Sequence, residues 1–424
     1  VGSGASLAGF KLINGSTSDG DPFSSGGGAW CESPSATLSN CIVAENHPSG
    51  SGGGVYGGSL FRCTITNNFA NQNGGGAEQS QLFHCIVAEN MAGSTGGGTY
   101  NSQLQDCEVS GNNTYGNGAG VAYSDLRRCI VKSNSAGDGI RANGGGAWKS
   151  TLVDSVVLGN LLSIFSDGEG AGVSESTLTN CTVVANTTTY WTEIGFGGGA
   201  CNSTLRNCIV VGNSAATGSN YHNCTIEYTC TTPLPEAGPG NFADAPTFVN
   251  MAAGDLRLSA GSPGINAGYS DHATMISDLQ GYPRIMGGQV DVGAFEFLEG
   301  LSEFQEWLRN YGLPFHSQAD HLDPDSDFMD NFAEWIAGTN PTNTASALRF
   351  SAPSRSPLGA VTLTWTSVTN RSYAIERASG LGSPSGFSLV QDDIPGLEEV
   401  TTFVDTNAPS GEACFYRIKV TRLP

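Results

Sequence analysis

The sequence predicts a mainly β chain: a parallel β-solenoid, then a short helical segment with an acidic loop, then a small β-sandwich. Three observations carry this reading. The word Leu-x-x-Cys-x-Val/Ile-x-x-Asn recurs through the first half of the chain. A glycine-rich triplet stands at a fixed distance before most copies of it. The last third loses the repeat and carries runs of alternating apolar and polar residues divided by turn residues.

Cys41, Cys63, Cys85, Cys107 and Cys129 follow at intervals of 22, and the series continues through Ser155, Cys181 and Cys208 at 26, 26 and 27. Three positions ahead of each stands a leucine, from Leu38 to Leu205, and five positions after each an asparagine, from Asn46 to Asn213. A period of this length with runs too short to fold alone implies coils stacked about 4.8 Å apart. The leucines, the cysteines and the following Val or Ile are expected inside, in files. The asparagines are expected to supply left-handed turns and to stack their amides. The triplets, such as Gly52 to Gly54, permit a backbone path that side chains would block. The thiols read as small buried groups, although Cys224 with Cys230, or Cys31 with Cys201, could pair.

Composition narrows the function. The 424 residues include 59 glycines, only 13% are charged, and the formal net charge is −21. Such a surface repels phosphate backbones and anionic headgroups, so nucleic-acid and membrane-surface roles are excluded. No apolar run is long enough to span a bilayer. The start at Val1 suggests a processed or partial chain. "SLAGFKLING" already fits the repeat there, and an uncovered solenoid end is expected to be capped by upstream residues or by another subunit in a head-to-tail contact that could propagate into a filament.

The GGGAxxxSTLxNCxVxxN pattern resembles secreted bacterial right-handed parallel β-helix repeat proteins and, more distantly, the Gly-Gly-Ala repeats of chlamydial polymorphic outer-membrane adhesins. The stretch "SPGINAG" followed by "DLQGYPRIMGGQVDVGAFEF" resembles the coils that close such helices, which places a β-helix over 1–298 with closing coils from about 246. The resemblance implies an extracellular or cell-surface protein. It does not choose between scaffold, adhesin and enzyme, because this fold hosts all three.

Residues 299–345 hold an amphipathic helix, "LSEFQEWLRNY", and the loop "DPDSDFMDNFAE". Asp323, Asp325, Asp327, the Met329 carbonyl, Asn331 and Glu334 fall at the ligand places of an EF-hand-like loop, a set of hard oxygens suited to Ca²⁺. The segment resembles thrombospondin type 3 or dockerin-like calcium repeats. Phe328 stands where such loops carry glycine, which puts the tight turn in question. Over 346–424, strands at Val361–Trp365, Ser372–Ala378, Thr401–Asp405 and Phe415–Val420 resemble a fibronectin type III-like sandwich, with Trp365, Tyr373 and Phe415 expected in its core.

No catalytic set is expected. The column before the cysteines holds Arg62, His84, Asp106, Arg128 and Asp154. Arg128 could serve a lyase as base beside calcium on Asp106 or Asp154, but an outward column of alternating charge is ordinarily solvated. Partner contact is expected on three longer inserts, through Ile140, Arg141, Ile164, Phe165, Tyr190, Trp191, Ile194 and Phe196. The expected function is a calcium-stabilised extracellular structural or adhesive scaffold that contacts itself, another surface protein or a glycan. The alternative is a polysaccharide lyase or glycoside hydrolase.

Overall fold

The computed structural model describes residues 1–18, 24–137, 142–164, 168–190, 195–286, 288–298, 302–313, 319–380, 386–409 and 413–422. The chain divides into two compact units, Val1–Glu299 and Gly300–Pro424.

The first unit is a parallel β-solenoid of about nine turns. Each coil contributes a strand to a first sheet of ten strands, from Ser6–Ala8 to Thr225–Glu227, and turns a corner into a second ten-stranded sheet, from Lys11–Ile13 to Cys230–Thr231. It returns through a nine-stranded sheet of two-residue strands, from Ala29–Trp30 to Tyr221–His222. A further six-stranded sheet, from Phe69–Ala70 to Thr187–Tyr190, precedes that return in the middle coils.

The leucines form one interior file. Leu38 pairs with Leu60, Leu60 with Leu82 and so on to Leu205, which pairs with Ile226, and all of these are buried. Beside them runs the cysteine ladder, and it is polar. The Cys63 backbone N–H donates to Cys85 Sγ at 3.3 Å, while each ladder thiol donates to the carbonyl two residues before it, as Cys85 does to Phe83 at 3.3 Å. Ser155 and Thr229 continue the pattern, accepting from the Cys129 and Cys208 amides at 3.0 and 3.1 Å. That equivalence explains why a hydroxyl can replace a thiol here. All twelve cysteines are free, so neither possible disulfide forms.

The asparagine ladder is continuous: each Nδ2 from Asn46 to Asn186 donates to the next coil's Oδ1 at 2.8 to 3.0 Å. The amides stack as expected, but these residues do not supply the left-handed turn. The positive φ lies one residue earlier, at Glu45, Asn67, Glu89, Gly111, Ser133, Gly159, Ala185 and Gly212. The buried amide must face the axis, so its neighbour takes the bend. The glycine triplets answer to close packing: a Cβ on Gly75 would lie 2.3 Å from the Gly97 carbonyl of the next coil.

Beyond Phe242 the chain does not wind into further coils. It forms an antiparallel hairpin, Phe248–Asn250 with Asp255–Leu258, and then folds back along the outer face of the second sheet. Leu256 and Ala294 pack there on Val156 and Val184, and Leu258 and Val292 on Ile209 and Cys230. The outward residues of these coils are apolar because this segment covers them.

In the second unit, helix α1 (Glu303–Asn310) opens with a capping box between Ser302 and Gln305, and α2 (Asn331–Ala337) starts at the Asp330 cap and stops at Gly338. Two three-stranded antiparallel sheets follow. Their inner faces share a core of Val361, Leu363, Trp365, Tyr373 and Ile375. Phe415, expected in that core, is 36% exposed, because the alternation of its strand turns it outward.

Candidate functional site

The corner between the first and second sheets places one residue per coil in the left-handed region, with φ from 48° to 55° at Arg62, His84, Asp106, Arg128, Asp154, Asn180 and Asn207. A left-handed corner throws its side chain outward, so this column reaches whatever lies outside. The column is not solvated throughout, as its alternating charges had suggested. Arg62 and His84 are exposed and Asp106 and Arg128 half-buried, whereas Asp154, Asn180 and Asn207 are fully buried beneath the returning segment.

At the boundary lies a groove of about 420 Å³, lined among others by Asp106, Glu108, Arg128, Asp255, Arg257 and Phe295. Its cations are spoken for. Arg128 grips Asp106 through two hydrogen bonds, Nε to Oδ1 at 2.7 Å and Nη2 to Oδ2 at 2.8 Å. Burial pushes the Asp106 carboxyl up, but Arg128 and Gln105 outweigh it and hold it below the ordinary carboxylate range. The bond to Asp106 in turn raises Arg128 further above its ordinary value. Arg257 is held in the same way by Asp255, at 2.9 and 2.6 Å. Each ionised carboxylate favours the protonated form of its guanidinium, which opposes a role as base.

Below the groove is a cluster that the sequence reading missed. Arg284 is 1% exposed, and its Nε lies 3.2 Å from Asp154 Oδ1 and 3.4 Å from Glu296 Oε1. Its Nη2 donates to the Asp291 and Gly293 carbonyls. Asp278 and Asp291 complete the ring by accepting backbone amides: Gln280, Tyr282 and Glu296 for the first, Asn266 and Phe297 for the second. Four carboxylates thus surround one guanidinium away from water. Burial pushes Glu296 up to about 9 and Asp154 to about 6, against the lowering effect of Arg284. The available signal was a set of charged residues in an otherwise apolar and glycine-rich stretch, "DLQGYPRIMGGQVDVGAFEF".

The acidic loop of the second unit brings its ligand residues together. Asp323, Asp325 and Asp327 each present a carboxylate oxygen within 4.8 Å of the others. Asp323 accepts the Asp327 and Phe328 amides at 3.2 and 3.0 Å, and Asp327 Oδ1 accepts the Met329 amide at 2.8 Å. Asn331 donates to the Ala319 carbonyl at 2.7 Å and Glu334 accepts Thr339 at 3.2 Å. Both Asp325 oxygens, Asp327 Oδ2, Asn331 Oδ1 and Glu334 Oε2 are buried with no hydrogen-bond partner. Burial, with the three aspartates near it, pushes Glu334 up to about 7. Phe328 resolves the question of the missing glycine: it adopts φ +76° and leaves its ring 99% exposed, so the loop turns as a glycine would.

The insert residues Ile140, Arg141, Phe165, Trp191 and Ile194 lie outside the described residues, as do the side chains of Ile164 and Tyr190. Phe196 is half-buried, its ring 4.8 Å from that of His222.

No family model and no curated protein matches the chain. Among solved structures it is similar to the pectate lyase Pel9A, at 15% identity and a TM-score of 0.32, over 68% of this chain and 87% of that one.

Proposed function

We propose that the chain is an extracellular or cell-surface structural scaffold, stiffened by calcium in its second unit and acting by contact rather than by catalysis. The observation that carries this reading is the convergence of unpartnered, buried oxygens from Asp325, Asp327, Asn331 and Glu334 in one loop. Leaving such oxygens unpaired is costly, and a hard cation satisfies all of them at once. The Asp323, Asp325 and Asp327 carboxylates, the Met329 carbonyl, Asn331 and Glu334 would hold it. Buried thiols held up in pKa, such as Cys85 and Cys201 at about 12, resist oxidation, which is compatible with an oxidising exterior. A scaffold of this kind would contact a second copy, another surface protein or a glycan.

The groove beside Arg128 supports a second reading, a polysaccharide lyase or glycoside hydrolase, but the locked state of both guanidiniums weighs against it. Thermal unfolding with calcium and with chelator, beside a screen for unsaturated uronates and reducing ends, separates the two. Calcium at a hundredfold its dissociation constant adds about 2.7 kcal/mol to the second unit, and Glu334→Gln removes most of that gain. A chelator-insensitive transition would end the calcium reading, and turnover lost on Arg128→Ala would end the non-catalytic one.

A further inference from the structure

The outer face of the first sheet carries a feature that neither calcium nor the groove explains. In register along the axis stand Phe61, Phe83, Gln105 and Arg127, and beside them Gln81, Gln103 and Asp125. Phe61 and Phe83 stack, with ring centroids 5.0 Å apart and planes within 10° of parallel. One side of Phe83 is taken by that partner. On the other the next coil offers Gln105 in place of a third ring, and a cavity of about 260 Å³ opens there, bounded by Phe83, Gln103, Gln105, Asp125 and Arg127.

The chemistry of this cavity is specific. Among the described residues, the exposed Asp125 and Arg127 side chains make no ion pair or hydrogen bond with the rest of the chain, although most other charged groups nearby are paired. Gln105 is anchored, donating to Asp106 at 3.1 Å. An aromatic flank, two amides, a carboxylate that accepts and a guanidinium that donates form the complement of a sugar ring: its C–H face packs on the arene, and adjacent hydroxyls bridge planar polar groups. The strip continues toward later coils over small side chains, Thr151, Val153, Thr177 and Thr179, which leave a flat floor in the same register. A polymer would therefore lie along the axis, across the strands. Asp125 and the net charge of −21 disfavour a polyanion.

We propose that this face binds a neutral glycan, with one pyranose ring against Phe83 in the place of a third stacked ring and its hydroxyls shared by Gln103, Asp125 and Arg127. The inference goes beyond the scaffold reading and does not depend on calcium.

The test uses the whole chain with defined hexasaccharides of β-glucan, xylan and mannan, and a hexagalacturonide as the acidic comparison, in calorimetric titration. Saturable binding of at least one neutral hexasaccharide is expected, weakened about tenfold or more by Phe83→Ala and by Arg127→Ala, about 1.4 kcal/mol each. Both side chains point outward, so the variants should melt with the wild type. Ile86→Ala, exposed on the second sheet, should bind as the wild type does and controls for general surface effects. Absence of binding to every neutral hexasaccharide, affinity unchanged in Phe83→Ala, or binding of the hexagalacturonide alone would each overturn the proposal.

Discussion

Replacing Arg284 by methionine tests how the returning segment is held to the solenoid. The substitution keeps most of the volume and removes the buried cation that lies between Asp154 and Glu296, beside Asp278 and Asp291. It also strips the Asp291 and Gly293 carbonyls of their donor. Breaking a buried ion pair from one side costs about 3–5 kcal/mol, because the partner charges stay buried without compensation. For a unit of this size that is a fall in melting temperature of roughly 5–8 °C. The pH dependence fixes the cause. Glu296 at about 9 and Asp154 at about 6 both lie above ordinary carboxylate values, so the folded state binds more protons than the unfolded. The stability linked to them is complete below their unfolded pKa values and is lost as pH rises through 6 and then 9. Without Arg284 both carboxyls rise further. Glu296, at about 9, stays protonated at both pH 5 and pH 8, whereas Asp154, at about 6, ionises between them. The deficit of the variant should therefore be smaller at pH 5, where mainly the carbonyl hydrogen bonds are lost, and larger at pH 8, where Asp154 also lacks its cation. Melting curves at both pH values, with limited proteolysis of residues 276–297 to locate the opening, measure this. A deficit under about 1 kcal/mol at pH 8, or an equal deficit at both pH values, would refute the reasoning, since a buried uncompensated charge cannot produce either.

Other consequences of the same geometry can be checked by unfolding. Asn112→Ala interrupts the amide ladder, leaving the Asn90 backbone amide without its acceptor and removing the side-chain donor to the Val87 carbonyl, for a loss of about 3 kcal/mol. Cys107→Ser should cost under about 1.5 kcal/mol, because Ser155 already fills the equivalent place, whereas Cys107→Val removes the acceptor of the Cys85 amide and should cost clearly more. If the two cost the same, the ladder is packing alone. Phe328→Gly relieves a left-handed backbone without removing a contact and should stabilise the calcium-loaded second unit by about 1 kcal/mol in chelator-reversible melts.

The repeat could be read without coordinates because a solenoid is locally determined. Each coil meets only its neighbours, so identical spacing places Leu over Leu and Asn over Asn, and the register follows from counting residues. The same logic misassigned the left-handed turn by one residue, since a column of asparagines has two ways to be useful and only the direction of the side chain chooses. The loop from Asp323 to Glu334 was legible too, because its ligand places lie within one short run; what the sequence left open was whether Phe328 could make the turn.

Sequence by itself determined the periodic part: the mainly β class and the interior files of the repeat from Leu38 to Leu205. Tertiary structure decided the fate of residues 246–297, which fold back over the second sheet instead of extending it, and with it the burial of Asp154 and the existence of the groove. The physical reason is range. Strand stacking repeats at a fixed interval and leaves a trace at every coil, whereas the contact of Arg284 with Asp154 joins an aperiodic segment to one corner of one coil, and a contact made once has no period to reveal it.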